Sequence, residues 1–405
     1  MDQGAATATI GNRHAGGATF AETATAAALR AGFDLSGVIA LPFPRVEAFE
    51  QWIASGYQGD MEYLARTDDS GRLRRTGVEV ALPWAKSIVV CGLNYNPDAP
   101  YSTDARARDR GWISRYAIGG SIDAQGEHRC ADYHDVLMCR LRAVEAELTA
   151  NFHIKRSRCY VDTGPMIERA LAQAAGIGWI GKNTCLINER ERLGSWIFLG
   201  VVITDFDVGS VSAAEVMGMA AADRCGTCTR CIDACPTGAL IANDDGARQM
   251  DARKCIAYLT IEKRGAIPEE MRSAIGTHVF GCDICQDVCP WNSRKQRRAP
   301  TTSVAEFAAI EKLVSPDLEW LASLSVDEWR RMFRGSPVKR TKYAGFLRNV
   351  CVAMGNSGEQ RFLPKLRELV SSEDAVIADH ARWAVEQIKR RCTEPPIGAD
   401  PATSE

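Results

Sequence analysis

The spacing of eight cysteines between positions 225 and 289 constrains this chain more than any other feature of its sequence. Four of them form a run that reads Cys225-x2-Cys228-x2-Cys231-x3-Cys235-Pro236. This is the ligand run of bacterial ferredoxins, in which the fourth cysteine of each run binds the other of two clusters. A second run is therefore expected, and three of its members stand in the order Cys282-x2-Cys285-x3-Cys289-Pro290.

The second run lacks its first member, because Val279 occupies the position three residues before Cys282. Cys255 is the nearby cysteine left to replace it. A zinc ribbon also uses paired Cys-x2-Cys motifs, but a structural zinc takes four ligands and this region offers eight in ferredoxin order. We therefore predict two [4Fe–4S] clusters. Their predicted ligands are Cys225, Cys228, Cys231 and Cys289 for one cluster, and Cys235, Cys255, Cys282 and Cys285 for the other.

The rest of the composition is that of an ordinary soluble globular protein. The 405 residues suffice for two or three domains, and the 46% hydrophobic content suffices for a sizeable core. A formal charge of −2 excludes binding to nucleic acid through overall charge, although a local basic patch is compatible with it. We find no apolar run near the ~20 residues of a membrane-spanning helix, no signal sequence and no twin-Arg pair. Cysteines without disulfides fit a reducing compartment, so we predict a cytoplasmic protein without membrane association.

The first half of the chain alternates between helix and strand patterns. The predicted helices cover residues 20–31, 46–54, 134–151 and 165–175, the last with proline at its start, and the predicted strands cover residues 87–93, 159–161 and 195–204. This alternation predicts an α/β or α+β layer domain. Residues 101–130 are polar and are predicted to form a long loop.

Three clusters of Lys and Arg follow the cysteine region, at residues 294–298, 330–334 and 339–342. Their concentration in a chain of charge −2 favours a local site for a polyanion. Helical patterns on both sides of residues 355–358 indicate paired helices of the α-solenoid type. The predicted organisation is a disordered tail (1–19), a catalytic domain (20–210), a cluster domain (211–292), a basic linker with helical repeats (293–392) and a second disordered tail (393–405).

Two further segments carry residues that the sequence explains in more than one way. Gly176-x-Gly178-x-x-Gly181 matches a dinucleotide fingerprint, but it closes a predicted helix instead of opening one, so a helix C-cap is the better interpretation. Asp162 follows a predicted strand, where a helix N-cap and a ligand-binding carboxylate explain it equally well.

These features together resemble the epoxyqueuosine reductases, which carry out the last step in making the tRNA nucleoside queuosine. The resemblance covers about residues 20–390 in order. Besides the cysteine runs, the matching segments are residues 59–63, 114–117, 132–134, 161–165, 168–169, 176–183, 255–262, 289–292, 347–349 and 355–356.

The resemblance implies an α+β fold with a nitroreductase-like, cobalamin-binding α/β domain, a two-cluster ferredoxin-like domain and C-terminal HEAT-like helical repeats that help to hold tRNA. It implies the reduction of epoxyqueuosine to queuosine at the wobble position of the anticodon. Electrons from a reduced flavodoxin or ferredoxin would pass through the clusters to cobalamin, bound as cob(II)alamin and reduced to Co(I). Asp162 would be the general acid that protonates the departing epoxide oxygen. The chain is expected to act as a monomer.

The same resemblance places eight residues against the cobalamin: Arg66, Cys130, Asp132, Tyr133, His134, Arg169, Lys182 and Asn183. The chain departs from the family pattern at residues 122–130, which form an insertion expected to lie near the active site. Leu137 follows Asp132-x-His134 where cobalamin proteins that supply a histidine ligand have glycine.

Two other classes of protein share part of this pattern. A reductive dehalogenase also combines cobalamin with two clusters, but it typically carries a twin-Arg leader and needs no basic C-terminal region. A ferredoxin-like electron carrier would need neither the preceding ~200 residues of α/β domain nor cobalt.

Overall fold

The computed structural model describes residues 18–43, 46–122, 128–209, 222–242, 248–293 and 298–393. The two tails that the sequence predicts to be disordered lie outside these ranges, apart from residues 18, 19 and 393. The helices are α1 (Phe20–Arg30), α2 (Glu47–Ala54), α3 (Val78–Ala81), α4 (Tyr133–Asn151), α5 (Glu168–Ala174), α6 (Arg230–Asp233), α7 (Ile256–Ile261), α8 (Glu269–Arg272), α9 (Ile284–Asp287), α10 (Pro290–Ser293), α11 (Leu318–Ser323), α12 (Val326–Met332), α13 (Lys342–Ser357), α14 (Leu363–Val370) and α15 (Ala375–Thr393). The strands are β1 (Leu35–Ala40), β2 (Ser87–Asn94), β3 (Trp112–Ile113), β4 (Gly120–Ile122), β5 (His128–Cys130), β6 (Ser157–Tyr160), β7 (Trp179–Ile180), β8 (Leu186–Ile187), β9 (Ile197–Thr204), β10 (Leu240–Ala242), β11 (Arg248–Met250) and β12 (His278–Phe280).

A four-stranded sheet with the order β1-β2-β9-β6 organises the first half of the chain. Every pairing in it is antiparallel, including the long ladder between β2 and β9 from Ser87–Thr204 to Asn94–Ile197. The alternating helices and strands therefore build an α+β layer domain instead of parallel βαβ units. The edge strand β1 is not predicted from the sequence.

Strand β2 is buried along its whole length because both of its faces are apolar. Val89, Cys91 and Leu93 pack into a core layer with α1 and α4. Ile88 and Val90 point to the other face and pack into a layer with α5. Since successive side chains of a strand alternate between faces, an uninterrupted apolar run is what a strand between two layers requires.

The segment between β6 and α5 differs from its prediction. The helix begins at Glu168 and not at Pro165, and its N-cap residue Ile167 has no side-chain cap. Residues 161–167 therefore form a loop in which Asp162 has a φ of 56°, in the left-handed region. The predicted helix C-cap is confirmed: Gly176 follows the cap residue Ala175 with a φ of 71°, its N–H binds the Gln173 carbonyl, and the next N–H binds the Ala172 carbonyl.

Residues 101–130 are not one loop, because they contain three short strands. β3 pairs in parallel with β12 of the cysteine region, and β4 pairs with β5 in a hairpin. Residues 123–127, which follow β4 in the sequence, lie outside the described ranges. The predicted insertion at residues 122–130 thus contributes one arm of a hairpin.

One continuous core joins the cysteine region to the C-terminal helices. It contains Phe280 of β12, Leu259 of α7 and Val350 of α13, all almost fully buried. Arg348 is buried with them and donates to the Leu259 carbonyl, and burial lowers its pKa to about 10. Asn349 donates to the carbonyls of Thr260 and Val279. No described helix is both long enough and apolar enough to cross a membrane.

Candidate active site

A cavity of about 630 Å³ opens at the junction of the three parts of the chain. Its wall includes Phe49 and Trp52 of α2, Met250 of β11 and Arg340, which precedes α13. The Trp52 indole N–H donates to the Met250 carbonyl at 2.6 Å and joins the first layer domain to the cysteine region. The volume lies within the range of about 300–1,000 Å³ that is typical of ligand and cofactor sites.

Aromatic side chains form one wall of this cavity. Phe198 of β9 stacks on Tyr133 at 4.3 Å and on Tyr95 at 4.2 Å between ring centroids. Tyr116 meets Tyr133 edge-on at 6.0 Å. Such a wall offers a large apolar surface with a few hydroxyl groups, which suits a bulky organic ligand.

Asp162 is the carboxylate that this wall presents to the cavity. Its side chain is 56% exposed, and Oδ2 accepts a hydrogen bond of 2.8 Å from the Tyr133 hydroxyl. The left-handed backbone conformation costs about 1–3 kcal/mol for a residue other than glycine, and such conformations cluster at functional sites. An N-cap role does not apply, since the cap of α5 is Ile167.

Arg340 completes a polar network around Asp162 that the sequence does not predict. Its Nη2 lies 3.0 Å from the Tyr133 hydroxyl, 3.0 Å from His134 Nε2 and 3.7 Å from Asp162 Oδ2. His134 Nδ1 lies 2.8 Å from Asp132 Oδ1, so donation from Arg340 to Nε2 requires the proton on Nδ1. Burial lowers the pKa of Arg340, but Tyr133, Tyr116 and Asp162 outweigh burial and raise it overall.

Arg340 belongs to the basic cluster at residues 339–342. The sequence offers that cluster only as part of a polyanion site, and nothing in its spacing indicates that one of its members turns inward. Arg340 is separated from Tyr133 by 207 positions. Tyr133 belongs to the core of the first layer domain, and Val338, two residues before Arg340, belongs to the core of the C-terminal helices, so only the packed fold brings the two together.

Glu168 is a second carboxyl group in the wall of the cavity. Its Oε1 is enclosed and has no hydrogen-bond partner among the described residues. Burial raises its pKa to about 7, and Asp162 adds to the shift, whereas Arg75 and Arg169 oppose it. Glu168 therefore carries a proton over much of the range in which an ordinary glutamate is ionised. It is a site residue that the sequence analysis missed.

A second cavity, of about 560 Å³, lies beside the first cysteine run. Four of the eight cysteines line it together: Cys225, Cys228, Cys231 and Cys289. Burial raises the pKa of Cys289 to about 12, and the nearby Cys225 and Cys231 thiols raise it further. Within the described ranges, no group of three or more His, Cys, Asp or Glu side chains converges closely enough to hold a single metal ion.

The other four cysteines are neighbours of one another. Burial raises the pKa of Cys282, and Cys255 and Cys235 contribute to the same shift. Burial likewise raises the pKa of Cys285, and the nearby Cys185, Cys282, Cys255 and Cys231 thiols add to this shift. The neighbours of Cys282 and Cys285 are therefore mainly the remaining clustered cysteines, and the division of the eight cysteines into two ligand sets stays a prediction.

A short segment separates the two cavities. Thr184 lines the first cavity, and its carbonyl accepts a hydrogen bond from Arg169. The next residue, Cys185, has its pKa raised to about 11 by burial; Arg169 opposes this shift, and Cys231 is among the neighbours that add to it. A single residue step therefore leads from the aromatic cavity to the cysteine sets.

The eight residues predicted to contact cobalamin fall into two groups. Tyr133 and Arg169 line the aromatic cavity, and Asp132 and His134 adjoin it through the Arg340 network. The other four residues are not among those that line the aromatic cavity: Arg66, Cys130, Lys182 and Asn183.

Each of these four residues lies in a different environment from the aromatic cavity. Lys182 and Asn183 line the cysteine cavity, where the Lys182 ammonium donates to the Gly226 carbonyl at 2.7 Å. Cys130 is buried, and its thiol lies 3.3 Å from the Met332 carbonyl. Burial raises the pKa of this thiol to about 11. Arg66 is exposed and follows a short 3-10 helix, Glu62–Ala65, outside the cavity wall.

Two family models match the chain. A model described as a 4Fe-4S double cluster binding domain matches residues 224–292. A model described as epoxyqueuosine reductase QueG matches residues 75–163. The first match includes all eight clustered cysteines, and the second includes Tyr133 and Asp162 of the aromatic cavity.

Curated relatives match over most of the chain. An epoxyqueuosine reductase of Xanthomonas campestris pv. campestris is 36% identical over 368 residues, which cover 89% of this chain and 94% of the relative. An epoxyqueuosine reductase of Synechocystis sp. is 39% identical over 306 residues, covering 75% and 93%.

Solved structures agree with these relatives. A crystal structure of epoxyqueuosine reductase with an epoxyqueuosine-modified tRNA-Tyr stem loop matches with a TM-score of 0.74 at 30% identity, covering 91% of this chain and 89% of that one. A structure of the Bacillus subtilis epoxyqueuosine reductase, with an aspartate-containing catalytic loop swung out of the active site, matches with a TM-score of 0.73 at 29% identity, covering 91% and 90%.

Proposed function

The chain belongs to the epoxyqueuosine reductase family, and we propose that it reduces epoxyqueuosine to queuosine at the wobble position of tRNA anticodons, with Asp162 as the general acid. The observation that carries this proposal is the match to epoxyqueuosine reductases over most of the chain. The Xanthomonas campestris relative, for example, is 36% identical over a stretch that covers 89% of this chain. The aromatic cavity with Asp162 in its wall supports it independently.

The reaction requires both electrons and protons at one place. Conversion of an epoxide to an alkene and water consumes two electrons and two protons, and the oxygen leaves as water. A proton is needed as the C–O bond breaks, so a carboxylic acid beside the epoxide lowers the barrier. Asp162 fits this role because it is exposed to the cavity and held by the Tyr133 hydroxyl. The Bacillus subtilis relative, with its aspartate-containing catalytic loop, supports the same assignment.

The clusters of this chain are two [4Fe–4S] centres, in line with the double-cluster match over residues 224–292. We assign the ligands as two sets: Cys225, Cys228, Cys231 and Cys289 for one centre, and Cys235, Cys255, Cys282 and Cys285 for the other. The common cavity of the first set and the mutual proximity of the second support this assignment. Clusters of this kind transfer single electrons, so the pair links an external donor to the aromatic cavity.

Cobalamin is the cofactor that we place in the aromatic cavity. The residues present fit such a group, because stacked aromatic rings supply apolar surface and the enclosed Oε1 of Glu168 leaves one polar atom without a protein partner. Tyr133 and Arg169 would contact it, and the 182–185 segment would separate it from the clusters. When bound, cobalamin supplies a strongly reducing cobalt centre for the epoxide carbon. The chain's own residues orient the substrate, exclude water and deliver the proton.

The remaining features of the proposal concern partners and architecture. The substrate tRNA would approach over the basic clusters near Arg340, and the C-terminal helices would form HEAT-like repeats beside a nitroreductase-like cofactor domain. The domain limits proposed from the sequence are residues 20–210, 211–292 and 293–392. The electron donor is a reduced flavodoxin or ferredoxin, and the protein acts as a cytoplasmic monomer.

The proposed reaction is tested by mass analysis of tRNA nucleosides. Epoxyqueuosine-containing tRNA is incubated anaerobically with cluster-loaded, cobalamin-supplied protein and a low-potential reductant. Formation of queuosine is expected. If epoxyqueuosine stays unchanged although the clusters are intact and cobalamin is bound, the protein reduces a different substrate.

A further inference from the structure

The segment that carries Arg340 is a short, firmly anchored 3-10 turn, Pro337–Thr341. Val338 is fully buried in the turn, and its N–H donates to the side chain of the cap residue Ser336. Thr341 donates back to the Val338 carbonyl at 2.9 Å. Successive residues of a 3-10 helix point about 120° apart, so a turn fixed at Val338 sends its next two side chains in different directions.

The outward direction leads to a basic pocket of about 440 Å³. Four cationic side chains line this basic pocket together with Trp329 and Tyr343: Arg330, Arg334, Lys339 and Lys342. Arg330 pairs with Asp327 at 3.1 Å, whereas the other three have no acidic partner within the described ranges. All four are exposed. Unpaired cations around a hollow with aromatic walls are suited to backbone phosphates of a nucleic acid.

The inward direction leads to the catalytic aspartate. Arg340, which follows Lys339 of the basic pocket, has its Nη2 at 3.0 Å from the Tyr133 hydroxyl and 3.7 Å from Asp162 Oδ2. Its guanidinium also lies 5.7 Å from the centre of the Tyr133 ring. One turn therefore forms part of a polyanion surface and part of the catalytic network.

We propose that the Pro337–Thr341 turn couples the docking of tRNA phosphates in the basic pocket to the position of Asp162, with Arg340 as the positioning residue. This inference rests on the proposed function, because it takes tRNA as the polyanion and Asp162 as the acid. Phosphates bound by Lys339 and Lys342 hold the turn, and the turn holds Arg340 against the loop of residues 161–167. A docked tRNA thereby stabilises the conformation in which Asp162 faces the substrate.

Cys130, the last residue of β5, packs against the residues that lead into this turn. Cys130 contacts the Met332 carbonyl with its thiol, and its own carbonyl lies 3.0 Å from the place that a Cβ at Gly335 would occupy. Gly335 has a φ of 72°, so this close approach needs glycine. Cys130, the last residue of the segment that departs from the family pattern, thus packs against the residues before the turn, and it is not among the residues that line the aromatic cavity.

The first test measures hydrogen exchange in protein without cobalamin, so its result does not depend on turnover. A short RNA duplex without an anticodon loop is added at saturation, since it can dock on basic side chains but cannot enter the cavity. We expect the duplex to slow the exchange of residues 161–167 in the wild-type protein and not in Arg340→Gln. Equal protection in both proteins would overturn the coupling. Inorganic phosphate alone, if it gives the full protection, would identify a free-phosphate site and overturn the tRNA assignment.

The second test separates positioning from binding. Arg340→Gln should lower kcat by about 5- to 150-fold with little change in KM for tRNA, which corresponds to an ordinary coupling free energy. Lys339→Gln should raise KM for tRNA. It should also reduce the slope of the logarithm of the binding constant against the logarithm of salt concentration by about one. Arg340→Lys keeps the charge but not the planar fork, so kcat should stay low. Arg367→Gln, an exposed arginine of α14 outside the basic pocket, is the matched control.

A raised KM with unchanged kcat in Arg340→Gln would make this residue one more phosphate contact and would contradict the inference. Iron content and far-ultraviolet circular dichroism of each variant exclude a folding defect. Wild-type protein is assayed for queuosine in parallel. A failure of the proposed reaction appears in that assay alone, whereas a failure of the coupling appears in the exchange data.

Discussion

The cysteine region and the aromatic cavity differ in how far apart along the chain their working residues lie. Seven of the eight cysteines belong to two compact runs, so local spacing suffices to identify them. The cavity unites Tyr133, Asp162 and Arg340, with 29 positions between the first pair and 207 between Tyr133 and Arg340. A site built by a local loop can be predicted from sequence, whereas a site built by packing needs the fold.

The largest expected effect concerns Cys289, which belongs to the second cysteine run but is assigned to the cluster held by Cys225, Cys228 and Cys231. Cys289→Ser should lose one of two clusters, so that iron falls from about eight to about four atoms per chain, and turnover should disappear. The matched control is Cys185→Ser. The Cys185 thiol adjoins the same cysteines, but it is not a predicted ligand and should keep the full iron content. Iron analysis decides the matter: loss of iron in Cys185→Ser with retention in Cys289→Ser would break the assignment.

The next effect concerns the cavity and leaves the clusters alone. Asp162→Asn removes the proton donor but retains the shape of the side chain, so turnover should fall by about 10²- to 10⁴-fold. Cluster absorbance and iron content should match the wild type, because Asp162 belongs to the other region. Queuosine is quantified by nucleoside mass analysis. Wild-type turnover in this variant would remove Asp162 from the chemistry.

Glu168 allows a test of the cavity through pH. Its pKa is raised to about 7, so the folded chain binds this proton more tightly than the unfolded chain does. The resulting stabilisation is complete below about pH 4.5 and is lost as the pH rises to about 7, for a total of at most about 3 kcal/mol. Glu168→Gln has no such titration.

The measurement is the difference in unfolding free energy between wild type and Glu168→Gln. Denaturant titrations under anaerobic conditions at about pH 5 and pH 8 provide it. The wild type should lose stability relative to the variant at the higher pH. A difference that does not change with pH would mean that Glu168 titrates as an ordinary exposed carboxyl group.

The smallest effect concerns the contact between the two regions. Trp52→Phe keeps the ring packing but removes the hydrogen bond to the Met250 carbonyl, so the free energy of unfolding should fall by about 0.5–1.5 kcal/mol. Iron content should not change. Phe49→Leu, which alters a neighbouring aromatic ring without touching a hydrogen bond to β11, serves for comparison. A stabilising effect of Trp52→Phe would contradict the proposed role of this bond.

The comparison also explains which parts of the fold were predictable. The sequence predicts α4 from a helical stripe of apolar residues and predicts β2 and β9 from short apolar runs. These patterns lie within each element, so they can be recognised without the fold. The edge strand β1 has weak alternation, so its sequence does not predict it. Pro165 predicts an earlier start of α5 than the observed start at Glu168, because proline is common at the first helical position. In the site, motifs and resemblance predict the roles of Asp162 and the cysteines, and the structure places Asp162 in the wall of the aromatic cavity.

Arg340 and Glu168 mark the limit of that approach. The proposed role of Arg340 depends on a turn that points its side chain away from that of the adjacent Lys339. The raised pKa of Glu168 depends on burial in the completed cavity. The resemblance predicts cofactor contacts for Lys182, Asn183 and Cys130, which lie in matching or neighbouring segments. The fold turns the first two toward the cysteine cavity and the third into the core.

In the proposed reaction, electrons from the cysteine region and a proton from the aromatic cavity are consumed together. Single-turnover mixing tests it most directly: pre-reduced, cobalamin-supplied protein is mixed with epoxyqueuosine-containing tRNA, and cluster absorbance is followed while the nucleosides are quantified. We expect clusters to reoxidise at the rate of queuosine formation, with two electrons used for each queuosine. Queuosine formed while the clusters stay reduced, or clusters reoxidised without queuosine, would contradict the account.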